Sequence, residues 1–273
     1  VAFDRALTCQ REQGDAGGEA RALRYLARTL AVQGRLDGAR AHARSGLAAA
    51  QRAGEPVLEA EVLAVLGGIE RRAGRFDESS RLCQQAADIA QAHGRTLLGA
   101  EALLLAGESL RAAGDLEGAG RAYREARSRW RRAGSRYALV AELNLAMLDV
   151  HRQAWDEAAL RLETAGNEAA ALGDAYISRS ARMLVLPCLA ARGHWDALEA
   201  GLVDAEADWT SLMAETDTAE SAELAGVLAA ADGPPALAGR AWWLAHRLWG
   251  ELQRSDRQGI LEDALRGAGL PVP

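Results

Sequence analysis

Leu66-Gly67, then Gly74-Arg75-Phe76-Asp77-Glu78-Ser79, and beyond them Cys83, Ala86 and Gly94, form the stretch whose reading decides the fold. Gly74 stands just past a run with helical spacing. The left-handed conformation that ends a helix costs a residue without a Cβ nothing, so a helix is expected to stop there. Phe76-Asp77-Glu78 then opens a second helix, with acids in the first turn opposing the positive end of its macrodipole. Phe76, Ser79, Cys83 and Ala86 are spaced three, four and three apart and share one helical face. The stretch therefore predicts a helical hairpin, with a first helix A over 57–73 and a second helix B over 76–93.

The hairpin recurs along the chain. Gly34, Gly74 and Gly114 are 40 residues apart, and Gly54, Gly94 and Gly134 mark the unit ends at the same interval. The fourth unit is one residue shorter and ends at Gly173, and a further hinge follows at Gly193. The apolar residue opening helix B returns as Leu36, Phe76, Leu116, Trp155 and Trp195. Self-similarity at this period marks a solenoid, in which each unit buries its apolar face on its neighbours. Glycine inside a helix costs about 1 kcal/mol relative to alanine. Gly67, Gly107 and Gly226 nevertheless recur at one place in helix A, with Ala27 and Ala146 there in other units. Close approach of helix B at that point is the simplest reason.

With these residues in hand the chain resembles the tetratricopeptide repeat family, in a version with about forty residues per repeat. The family's Leu-Gly pair, turn glycine, aromatic or Leu, small residue and second aromatic are matched by Leu66-Gly67, Gly74, Phe76, Ser79 and Cys83. Ala106-Gly107, Gly114, Leu116, Ala119 and Tyr123 match them again, and so do Leu26-Ala27, Gly34, Leu36, Ala39 and Ala43. Gln153 replaces the turn glycine of the fourth unit and Leu198 the small residue of the fifth. The resemblance implies an all-α solenoid, a right-handed superhelix of tandem antiparallel helix pairs, about six repeats plus a C-terminal capping helix.

In chain order, 1–14 is expected to be the partial helix of an upstream repeat, since Val1 is not methionine and Phe3, Ala6 and Leu7 fit the end of a helix B. On that reading the chain is one module of a longer polypeptide. The array covers 15–253, with pairs at 15–33 and 36–53, 57–73 and 76–93, 97–113 and 116–133, 136–152 and 155–172, 175–192 and 195–213, and from 216 to 252. Pro187 should bend helix A of the fifth pair, because it removes a hydrogen bond. Trp242, Trp243 and Trp249 crowd the last helix B, and some of them are expected against a closing helix at 256–267 within a cap and tail spanning 254–273. The arginine run Arg121, Arg124, Arg127, Arg129, Arg131 and Arg132 reads as a solvated face, with a docking surface for an acidic partner as the sharper alternative.

Composition closes several routes. The net charge of −6 argues against general nucleic-acid affinity. All 32 basic residues are arginine, which with the abundant Ala and Gly suits a GC-rich bacterial coding sequence. Without lysine there is no Gly-x4-Gly-Lys phosphate loop. Cys9, Cys83 and Cys188 are far apart and odd in number, which argues against a disulfide framework or a zinc site and suits a reducing cytoplasm. His42, His93, His151, His194 and His246 fall on different repeats without metal-ligand spacing. No metal, cofactor or catalytic residue is expected, and no apolar run reaches the ~18 residues of a membrane span.

The resemblance also implies a site. In the family, A helices line the concave surface and their outward residues contact a partner. Carried over, that face would present Arg21, Arg24, Arg28, Arg71, Arg72 and Arg111, then Leu143, Met147, Met183 and Val227, then Glu220 and Glu223. For Leu143 and Met183, packing between adjacent repeats is an equal alternative. Arginine clamps carboxylates through paired hydrogen bonds, and methionine adapts to varied apolar shapes. The expected partner is a protein or peptide segment carrying acids beside an apolar anchor, or another domain of the same polypeptide. Two classes of function follow: a non-catalytic interaction scaffold within a larger bacterial regulator, or a ligand- or peptide-sensing module of a signal-transduction ATPase, kinase or transcription regulator.

Overall fold

The computed structural model describes residues 12–207 and 215–272, together with Leu7 and Gln10. The expected partial helix over 1–14, Cys9 and the end of the helix expected over 195–213 fall largely outside them. The helices are α1 Ala16–Val32, α2 Leu36–Ala53, α3 Pro56–Arg72, α4 Phe76–Ala92, α5 Thr96–Ala112, α6 Leu116–Arg132, α7 Ala138–His151, α8 Trp155–Ala171, α9 Ala175–Leu184, α10 Leu186–Ala191, α11 Trp195–Ala207, α12 Thr216–Asp232, α13 Pro235–Glu251 and α14 Ser255–Gly267. No strand occurs among the described residues. The fold is all-α, a solenoid-like array of paired antiparallel helices. By contact it divides into two compact units, Val1–Ala141 and Glu142–Pro273.

The turns follow from backbone chemistry. At Gly74 (φ 73°) the chain turns left-handed, the Gly74 N–H reaches the Arg71 carbonyl at 2.9 Å and the Arg75 N–H reaches the Glu70 carbonyl at 2.9 Å. Those bonds satisfy carbonyls that the end of a helix leaves open. Asp15 and Asp115 cap the helices that follow them, accepting from the N–H of Gly18 and Gly118 at 2.8 Å, and Pro56 occupies the first turn of α3. Left-handed residues recur at Gly14, Gly34, Gly54, Gly74, Gly94, Gly114 and Gly134, and then at Gln153 (φ 58°). A side chain in that conformation costs roughly 1–2 kcal/mol. Gln153→Gly is therefore expected to raise stability by about 0.5–1 kcal/mol, read from the urea midpoint, after allowing for the freer unfolded glycine.

The mid-helix glycines have the role the spacing predicts. A Cβ on Gly67 would lie 2.4 Å from Cys83 Sγ, one on Gly107 2.5 Å from the Tyr123 ring, and one on Gly226 2.3 Å from the Trp242 ring. In each case the residue sixteen positions later, on helix B, fills the space the missing methyl leaves. In the first pair the same places hold Ala27 and Ala43, both buried. Helix A is thus small where helix B is large, which lets the pair close at interior packing density.

Unit Val1–Ala141 has a core of small and branched side chains running from Ala27 and Ala43 through Leu63, Ile69 and Leu82 to Leu103 and Trp130. One charge enters this interior. Glu70, 2% exposed, accepts from Arg40 Nε at 2.9 Å and makes a close second contact with Arg75. In unit Glu142–Pro273 the core runs from Met183 through Leu198, Leu202, Trp242 and Trp249 to Leu261 and Leu265 of α14. Pro187 has no N–H to give the carbonyl four residues back. The fifth helix A is accordingly divided, α9 stopping at Leu184 and α10 starting at Leu186.

Candidate functional site

Within the first unit the A helices α1, α3 and α5 pack directly on one another, whereas the B helices α2, α4 and α6 make few or no contacts among themselves. The A helices therefore line the inside of the bend. Along that inner face Tyr25, Val65 and Leu105 occupy equivalent places, Tyr25 45% exposed and the other two half-buried. Beside them Arg24 pairs with Glu61 at 2.8 Å and Arg71 with Glu108 at 3.2 Å, each arginine reaching the next A helix. Arg28 is exposed and makes no ion pair with any described residue. One unit along from it stands Gly68, where an added Cβ would meet nothing within 4 Å.

Most of the predicted arginines are engaged within the protein. Arg21 is bonded to Glu55 at 2.8 Å, Arg72 donates to the Ala31 carbonyl at 3.2 Å, and half-buried Arg111 is also engaged. Sequence reasoning missed Glu61 and Glu108. The signal was available: each lies 37 residues beyond its arginine, one repeat less one helical turn.

In the second unit the predicted site needs correction. Leu143, Met147 and Met183 are 7%, 3% and 2% exposed and offer a partner almost no surface. Met183 belongs to the unit's core, and the Met147 sulfur lies 4.0 Å from the Ser221 hydroxyl. Val227, by contrast, is 51% exposed. Glu223 is not a free acid, since it accepts from Trp249 Nε1 at 2.9 Å and from Arg257 at 2.6 Å. The guanidinium groups of Arg254 and Arg257 lie 5.7 and 5.3 Å from the centre of the Trp249 ring. Glu223 therefore fastens α14 onto α12 and α13. Glu220 is half-buried and engaged.

The arginine run on α6 divides. Arg121 and Arg129 pair with acids of their own helix, Glu117 at 2.8 Å and Glu125 at 2.9 Å, while Arg124 is exposed and pairs with no described residue. Among the described residues no group of three or more His, Cys, Asp or Glu is placed to hold a metal ion, and no helix is long and apolar enough to cross a membrane. Burial pushes the Cys83 thiol up to about 12 and the Cys188 thiol up to about 11, and a buried protonated thiol is a poor nucleophile. In a Cys9→Ser background both cysteines are expected to resist iodoacetamide at pH 8 until the protein is unfolded. Mass spectrometry showing alkylation of the native protein at either would contradict this.

No family model matches the chain, and no curated protein matches it in sequence. Solved structures do match in fold. The chain is similar to the apo form of RapI, with 11% identity, a TM-score of 0.75 and coverage of 93% of this chain and 91% of that one. It is similar to a Rap protein complexed with Competence and Sporulation Factor, with 13% identity, a TM-score of 0.63 and coverage of 92% and 75%. It is also similar to a signal transduction ATPase with numerous domains and a tetratricopeptide repeat sensor from Pyrococcus horikoshii, with 13% identity, a TM-score of 0.70 and coverage of 95% of this chain but 42% of that one. At these identities the likeness shows the fold alone, an all-helical repeat array resembling those of tetratricopeptide and Rap proteins.

Proposed function

We propose that the chain is a tetratricopeptide-type scaffold without catalytic chemistry, and that the inner face of α1, α3 and α5 binds a segment of a partner protein or of a neighbouring domain. The observation that carries this reading is the apolar row Tyr25, Val65 and Leu105 beside the open position at Gly68. Tyr25 is the aromatic anchor of this row, and a few such anchors supply most of the energy of an interface. Arg28 pairs with no described residue, so the segment carries an apolar anchor with an acid beside it. The likeness to a Rap protein complexed with Competence and Sporulation Factor and to an ATPase with a repeat sensor supports a regulatory setting. The second of these also favours the alternative role of sensor module.

The test is a peptide-display selection on the immobilised chain, followed by fluorescence anisotropy of the selected peptides. Tyr25→Ser with Leu105→Ser is expected to weaken binding at least 30-fold with the helical spectrum unchanged, as loss of a hot spot worth about 2 kcal/mol implies. Peptides that bind the double variant as tightly as the parent would remove the site from this face.

A further inference from the structure

Within the second unit a groove lies between α8 and α9. Its cavity of about 320 Å³ is at the small end of the range for ligand pockets, about 300–1,000 Å³. The helices face each other through small residues. Gly166 stands against Ala181, whose Cβ would lie 3.0 Å from a Cβ added at Gly166. Val185, the residue between α9 and α10 where Pro187 interrupts the helix, lines one end. The bend foreseen at Pro187 thus borders a cavity.

The polar groups of this cavity are its distinguishing feature. Glu163 and Asn167 approach from α8, Ser178 and Arg182 from α9, and Ala170 and Val185 supply apolar wall. Nearly every other carboxylate and guanidinium discussed above is engaged within the protein. Glu163 and Arg182 line one small cavity and form no ion pair with each other or with any described residue, and the Asn167 amide bonds to none of the described residues. Opposite charges that line one cavity without meeting, beside an amide, a hydroxyl and apolar wall, match a ligand that carries both charges on a short apolar body.

We propose that this cavity binds a free α-amino acid with an aliphatic side chain. Arg182 and the Asn167 amide take the α-carboxylate through charge-assisted hydrogen bonds, Glu163 takes the α-ammonium, and Val185 and Ala170 receive the side chain. Neither end of a peptide satisfies both charges at once, because each terminus presents only one of them. The site is independent of the partner surface proposed above, and neither depends on the other.

Isothermal titration of the 273-residue chain with leucine, valine, leucinamide and N-acetylleucine tests the assignment. Leucine or valine is expected to bind saturably with Kd of about 1 mM or tighter, and leucinamide and N-acetylleucine at least about tenfold more weakly, each having lost one charge. Arg182→Gln and Glu163→Gln, both at exposed positions, should each weaken binding at least about tenfold with unchanged melting. Ala170→Leu, which fills the cavity and touches neither charge, should abolish binding. The proposal is overturned if neither amino acid binds by about 10 mM. It is overturned equally if both glutamine variants bind within twofold of the parent, or if leucinamide and N-acetylleucine bind as well as leucine.

Discussion

Gly107→Ala is expected to destabilise the first unit by about 3 kcal/mol, although alanine is the better helix former by about 1 kcal/mol. The methyl would lie 2.5, 2.6 and 3.1 Å from three atoms of the Tyr123 ring, and that ring is fully buried. A buried ring has nowhere to move, so α5 and α6 must part or the ring must leave its rotamer. Tyr123→Ala alone should cost about 3–5 kcal/mol through the cavity it leaves. In the double variant the clash is gone and the helix gains its alanine. Its stability should therefore equal that of Tyr123→Ala or exceed it by up to about 1 kcal/mol. Urea midpoints of the four proteins measure this cycle. Additive losses would mean that glycine and tyrosine are not a matched pair.

Glu70→Ala should cost about 3 kcal/mol, out of proportion to an ion pair at a protein surface, where the usual value is 0–1 kcal/mol. The carboxylate is 2% exposed and tied to Arg40 on α2 and to Arg75 in the turn after α3. Removing it leaves the Arg40 side chain, itself only 19% exposed, without its buried partner. Arg75→Ala should cost under about 1 kcal/mol, because the Arg75 side chain is 45% exposed and Arg40 still holds the acid. Denaturation of the two variants checks the order. Equal losses would place the energy in the turn and not in the buried carboxylate.

Much of the helical framework was legible because its signals are local. A glycine at a left-handed turn, a proline inside a helix and a small residue opposite a large one sixteen positions later each act through a few neighbouring atoms. Glu70 was legible in principle too: the equivalent places one repeat earlier and later hold Leu30 and Leu110, so a carboxylate there stands at an apolar position. The surface was harder to read. An A helix in a stack packs on its own partner and on helices of adjacent pairs, and helical spacing alone does not say which apolar stripe is left open. That is why Leu143, Met147 and Met183 were placed on the groove although they are buried. Glu223 was placed there because periodicity carried no sign that Arg257, 34 residues later on α14, would reach it.

Glycines within the A helices are nesting points wherever a B helix presses on them, and open positions elsewhere. Gly67 and Gly68 are neighbours in α3 and separate the two cases, since a methyl on the first would lie 2.4 Å from Cys83 Sγ and one on the second would touch nothing within 4 Å. Urea unfolding of Gly67→Ala and Gly68→Ala is the most direct measurement. Opposite signs are expected, with Gly67→Ala less stable than the parent by about 1–3 kcal/mol and Gly68→Ala more stable by about 0.5–1 kcal/mol. If both substitutions stabilise the protein, or both weaken it alike, the nesting account is wrong.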